Sequence, residues 1–228
     1  MSIESIQNRE DVSPPRVRIT YDISVGDSIE RRELPFVIGV FGDFSADGDS
    51  RALWRDQECF PIDKVTFNTV LDTLQPRVKF KIASSLVGGY LDVDLTFHHI
   101  DDFEPSQILK RVEPLRRFQH SRSPDDQEIL RLHLDGILHA PMFQRLESAW
   151  RGLWHLVSRT EPGSQVRIEL FDVSKQELLR DLQGADELHR SYLFRKLYAE
   201  SYGNRAVILL RSSSVTTHSQ QLPRTWNC

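Results

Sequence analysis

Residues Leu34–Ser45 read LPFVIGVFGDFS. Phe36 to Phe41 is an unbroken apolar run, preceded by Pro35 and closed by Gly42-Asp43. Too short for a buried helix and rich in Val, Ile and Phe, it predicts a strand covered on both faces. Gly39 within it leaves room for the close approach of a backbone or a large side chain. The fold is decided by what covers this strand, so the sequence on either side is read for that cover.

Upstream, Val17, Ile19, Tyr21, Ile23 and Val25 alternate with Arg18, Thr20, Asp22 and Ser24, the pattern of a half-buried strand. Gly26-Asp27 marks a turn, and Ser28–Glu33 returns as a polar strand whose Glu30, Arg31, Arg32 and Glu33 suit an edge. Residues 1–13 read as a flexible N-terminus. Downstream, residues 42–58 read as a charged loop and 59–62 as a short strand. Asp63 caps a short helix with Val65, Phe67, Val70, Leu71 and Leu74 as its apolar positions, ended by Pro76. Val78, Phe80 and Ile82 alternate, Gly88-Gly89 turns the chain, and Leu91, Val93, Leu95 and Phe97 alternate again. A helix opened by Pro105 carries Ile108, Leu109, Val112 and Leu115 and is broken by Pro114. Residues 14–120 thus form a β-rich module.

The character then changes. Ser123-Pro124-Asp125-Asp126 is a helix start, with acids at the positive end of the dipole. Leu130, Leu134, Ile137 and Leu138 share a face. From Pro141, Phe143, Leu146, Trp150, Leu153 and Val157 recur three or four apart, with Trp154 one turn after Trp150. One further strand spans residues 166–173, followed by the capping box Ser174–Glu177 and the apolar Leu178, Leu179 and Leu182. A last helix is expected through Tyr192, Leu193, Leu197 and Tyr198. Residues 121–203 form this helical segment. The divergent stretch 204–228 has a short apolar run at 206–210 but no amphipathic continuation, and is expected to be an unstructured tail. The class is α+β: a mixed or antiparallel β-rich module followed by amphipathic helices and one more strand.

Composition excludes several functions. The chain has 228 residues, 39% hydrophobic and 27% charged, with a net charge of −4 and a pI near 6.1, so no global field draws it to nucleic acid or an anionic membrane. No apolar run approaches the ~20 residues of a membrane span, and the acidic N-terminus has no signal-peptide core. Two cysteines without metal or redox spacing, Cys59 and Cys228, fit a reduced cytoplasmic protein. The densest potential metal cluster, His98-His99 with Asp101-Asp102, puts its adjacent histidines on opposite sides of an extended chain, which favours a polar strand exit. His133 and His139 do not share a helix face, and His155 and His189 read as surface or boundary residues. Cys59 lacks a nearby activating group. Asp92 and Asp94 share a strand face and read as solvated, although two acids so placed are also the raw material of a glycosidase. Arg116, Arg117 and Arg122 lack the interleaved aromatics of a nucleic-acid site. No cofactor, metal or catalytic residue is expected. The strongest feature is the Trp150/Trp154 face, read either as core or as an interface anchor.

Two segments resemble known families. PPRVRITYDI, ELPFVIGVFGDFS, the run 64–76, LDVDLTFHHIDDFEP and RVEPLRRF, within residues 14–118, resemble the small sheath subunit of type VI secretion systems, the TssB or VipA family. LHLDGILHAPMFQRLESAWRGLWHLVSRTEPG, RIELFDVSKQELLRDL and LFRKLYAESYG, within residues 130–203, resemble part of the large sheath subunit, TssC or VipB. The resemblance implies a structural, cytoplasmic component of a contractile sheath. Its partners would be the small and large sheath subunits and the hexameric inner-tube protein, which contraction propels with its effectors. It also implies sheets shared between neighbouring subunits. The large-subunit match starts downstream of the early helix through which an AAA+ ATPase recognises that subunit, so this recognition is not carried over. The pattern reads as a fused, truncated version of the two subunits, with a tail resembling neither and attributed to a frameshift.

On this reading Val17, Ile19, Tyr21, Phe36, Val37, Ile38 and Val40 form the sheet core and assembly surface, and Trp150 and Trp154 anchor the helical part. The alternatives are a small cytosolic hydrolase built on Cys59 or the Asp92/Asp94 pair, and a non-assembling interaction fragment. The hydrolase requires a pocket of converging ionisable groups. The sheath component requires strand edges open to neighbours.

Overall fold

A computed structural model describes residues 20–25, 28–33, 36–46, 59–86, 88–161, 163, 165–196 and 205–209. In chain order the strands are β1 (Thr20–Val25), β2 (Ser28–Glu33), β3 (Phe36–Gly42), β4 (Phe60–Ile62), β5 (Arg77–Ser84), β6 (Gly89–Thr96), β7 (Val166–Asp172) and β8 (Arg205–Leu209). The helices are α1 (Phe67–Leu74), α2 (Pro105–Arg111), α3 (Glu113–Arg116), α4 (Pro124–Leu138), α5 (Pro141–Arg159), α6 (Lys175–Gly184) and α7 (Tyr192–Phe194). This is a mixed α+β fold.

The central sheet has four strands in the order β4-β7-β3-β8. β3 runs parallel to both β7 and β8, and β4 is antiparallel to β7 at one edge. Two antiparallel hairpins, β1–β2 and β5–β6, form separate two-stranded sheets. The apolar run is therefore a central strand with neighbours on both sides, as parallel strands with near-continuous hydrophobic sequences usually are.

Both faces of β3 are covered. On one, Val40 and Ile38 join the main core with Ile168 and Leu170 of β7. That core continues through Phe67, Val70, Leu71 and Leu74 of α1, Val78 and Ile82 of β5, and Leu91, Val93 and Leu95 of β6. It is closed by Ile137 of α4 and by Phe143, Leu146, Trp150, Leu153 and Val157 of α5. On the other face Phe41, Phe171 and Val173 form a smaller cluster under Leu178, Tyr192 and Leu193. Helices on both sides of a largely parallel sheet satisfy its two apolar faces.

Three expectations change. Residues 205–209, assigned to an unstructured tail, form β8 and pair with β3 from Val37↔Arg205 to Phe41↔Leu209. A β-prone apolar run finds its partner by non-local pairing, which helical periodicity cannot reveal. Residues 210–228 lie outside the described residues. Val65, counted among the apolar positions of α1, is exposed. It precedes the helix, in a turn where Asp63 Oδ1 accepts hydrogen bonds from the Val65 and Thr66 amides. Of the last predicted helix the structure describes α7 and the two residues after it, and Leu197 and Tyr198 lie outside the described residues.

The boundary drawn at 120/121 is not a break in the core. β3, α1 and the β5–β6 hairpin precede it, α5 and β7 follow it, and all contribute to one cluster. The connection passes through α3 and an ordered turn in which Ser121 Oγ donates to Asp126.

Candidate functional site

The feature with the most specific geometry is the seam where β3 meets β7. In this parallel pair Ile38 lies beside Ile168, Val40 beside Leu170 and Phe41 beside Phe171. The Phe41 and Phe171 rings stack with centroids 4.4 Å apart and planes 2° from parallel. At the C-terminal end of β7, buried Asp172 reaches back to the exit of β3. Its carboxylate accepts hydrogen bonds from the amides of Phe44 (2.7 Å) and Ser45 (3.2 Å) and from Ser45 Oγ (2.5 Å). The chain must bend sharply there, and a Cβ on Gly42 would stand 2.8 Å from Phe44 Cε2.

Trp150 closes the other side of the seam. It is fully buried, and its Nε1–H donates to the Phe44 carbonyl at 3.0 Å. Its ring meets Phe44 and Phe67 edge-on, with centroids 5.3 and 5.7 Å away. A buried indole requires a partner for its one donor, and the backbone of Phe44 supplies it. Half-buried Trp154 packs edge-on against Phe67 at 4.8 Å.

Of the other residues singled out in the sheet, Val40 is buried and Val37 and Ile38 are half-buried. Phe36 is 53% exposed and stands outside the core: it begins the strand, where its amide hydrogen-bonds the Gln165 carbonyl but little covers its ring. Val17 and Ile19 lie outside the described residues, as does the side chain of Tyr21, whose backbone belongs to β1.

The candidate chemical groups do not converge. Asp92 and Asp94 lie on the exposed face of β6, paired with Lys81 at 3.3 Å and with Arg77 at 2.7 Å. The Arg77 hydrogen bond holds the Asp94 carboxyl below the ordinary carboxylate range. Cys59 packs half-buried against the Phe41/Phe171 cluster. The His98–Asp102 stretch is spent on a turn. Asp102 accepts from the His98 and His99 amides at 2.7 and 3.0 Å and pairs with Arg111, which also donates to the Thr96 carbonyl. Burial pushes the Asp102 carboxyl up, but the bonds from Arg111 and the two amides outweigh it and hold the group low. His98 turns to Asp72 and His99 to Asn68. Buried His133 bridges α4 to β5, with Nδ1 donating to the Ile129 carbonyl and Nε2 hydrogen-bonded with Ser84 Oγ at 2.8 Å. Among the described residues no group of three or more His, Cys, Asp or Glu is placed to hold a metal ion, and no helix is long and apolar enough to cross a membrane.

Asp172 and Phe44 went unnoticed in the sequence. The available signal was an acid directly after the apolar run of β7, and an aromatic three residues beyond that of β3.

The chain belongs to the VipA family of type VI secretion systems, whose model matches residues 9–129, more than half of its length. Residues 126–206 match a second family model, the EvpB and VipB tail sheath N-terminal domain. Two curated relatives from Pseudomonas aeruginosa repeat this division. The type VI secretion system sheath protein TssB1 is 33% identical over 111 residues, 48% of this chain and 64% of TssB1. The sheath protein TssC1 is 45% identical over 69 residues, 29% of this chain and 14% of TssC1. The seam thus joins the two matches: β3, Phe44 and Phe67 lie in the first, and Trp150 and β7 in the second.

Proposed function

We propose that this protein is a structural, non-enzymatic component of a type VI secretion contractile sheath, working in the cytoplasm. It would assemble with small and large sheath subunits around a hexameric inner tube that contraction drives outward. The observation that carries this reading is the continuous pair of sheath-family matches, which share the four-stranded central sheet and the main core.

The geometry also offers means of assembly. A two-stranded hairpin on its own is marginal in water, and among the described residues β1–β2 pairs with no third strand. Addition of a neighbour's strand would stabilise it through main-chain hydrogen bonds. Val17, Ile19 and Tyr21 are proposed to serve this surface, and the exposed Phe36 a second one at the start of β3.

The test is co-expression of the tagged chain with intact small and large sheath subunits, followed by sizing and electron microscopy. Tubules carrying the tag are expected. A soluble co-complex that never forms tubules would make the chain a stalling fragment. A monomer that binds neither subunit would refute the reading.

A further inference from the structure

We propose that the β3–β7 seam is closed within each molecule, so that the chain is a pre-paired unit whose β3 is unavailable to a second copy or to a free large sheath subunit. The segments that meet there match two separate proteins in Pseudomonas aeruginosa. In this chain they are covalently continuous. β3 has β7 along one edge from Phe36 to Gly42 and β8 along the other from Val37 to Phe41, so between Val37 and Phe41 neither main-chain edge is open to an incoming strand.

Three observations favour closure in cis over exchange between copies. The Phe41/Phe171 stack and the Trp150–Phe44–Phe67 group cover both faces of the pair. Asp172 binds the amides just beyond β3, fixing the register at the end where an invading strand would have to displace it. The connection between the strands is itself folded into the core through α1, β5, β6 and α5, so β7 cannot leave without uncovering apolar surface on all of them. A tethered partner acts at an effective concentration on the order of millimolar. A free competitor of equal intrinsic affinity at about 10 μM would therefore capture only about 1% of the seams.

The test places cysteines at Val37 and Arg167, which are in register across the seam, with Cys59→Ala and Cys228→Ala removing the native thiols. After oxidation the V37C/R167C protein should migrate as a cross-linked monomer at both low and high protein concentration. Added TssC1 should leave that yield unchanged. Disulfide-linked dimers at low concentration, or a cross-link yield that falls as TssC1 rises, would overturn the proposal. Should the double variant fail to fold, V37C and R167C are co-expressed as single variants. No mixed disulfide dimer is expected, and its appearance would overturn the proposal. The readout is intramolecular linkage, so its failure leaves the sheath reading standing, and absence of tubules leaves the closed seam standing.

Discussion

The β3–β7 seam and the β5–β6 hairpin are both paired strands, but they are held in different ways. The hairpin connects neighbours in sequence, turns at Gly88-Gly89, and has one buried and one charged face. The seam joins residues about 130 positions apart in register, is covered on both faces, and is fixed by a carboxylate and an indole that reach across it. Local alternation suffices for the first. The second needs non-local chemistry that forms only when the whole core forms, so damage to it should be global, whereas damage to the charged face of the hairpin should be slight.

The sharpest way to break this contrast is Trp150→Ala. It empties a fully buried site, removes two edge-on ring contacts and orphans the Phe44 carbonyl, so a loss of about 3–5 kcal/mol is expected from denaturant midpoints. The transition should remain single, because both family segments share the core. Separate transitions for the two segments would refute a common core. Trp154→Ala, at a half-buried position, should cost clearly less. Next is Asp172→Asn. Asparagine keeps one acceptor oxygen but presents an NH2 group to donors, leaving buried groups at Phe44 and Ser45 poorly paired, for about 2–3 kcal/mol by the same measurement.

The same contrast explains what the sequence revealed. Alternation exposed β1, β5 and β6, the Gly26-Asp27 turn signal pointed to β2, and the apolar run correctly implied a strand covered on both faces. The stripe on α5 located Trp150, without showing whether it faced this chain or another. β8 was missed because parallel pairing leaves no local mark beyond a β-prone run. The sequence did not show that the Phe36 ring lies outside the core, because a run of apolar residues gives no sign of where its cover ends. Asp172 was invisible because its partners are backbone amides 127 and 128 positions away. Conversely, the His98–Asp102 cluster drew notice for its composition, and its donors were already committed to a turn.

That turn gives a pH-dependent prediction. Asp102 is held below the ordinary carboxylate range in the folded protein and returns to it on unfolding. The unfolded state therefore binds more protons as pH falls, so the stabilisation is present above the ordinary carboxylate range and is lost as pH falls through the lower folded value. Asp102→Asn should cost about 1–2 kcal/mol at neutral pH, since Arg111 on its other side is partly solvated. Urea unfolding of wild type and variant should converge as the solution is acidified. A gap independent of pH would mean that Asp102 acts by shape alone.

The smallest effect belongs to the outer face of the hairpin. Arg77 and Asp94 make a bidentate pair with both contacts at 2.7 Å, better geometry than most surface ion pairs. Yet the Asp94 side chain is 48% exposed and the Arg77 side chain 27%, so water competes for both charges. Arg77→Ala should therefore cost at most about 1 kcal/mol, part of it from lost packing of the arginine stem. The electrostatic part should fade in 1 M salt, where screening acts over about 3 Å, leaving only the packing contribution. A loss approaching that of Asp172→Asn would show that the hairpin face is as integral to the core as the seam.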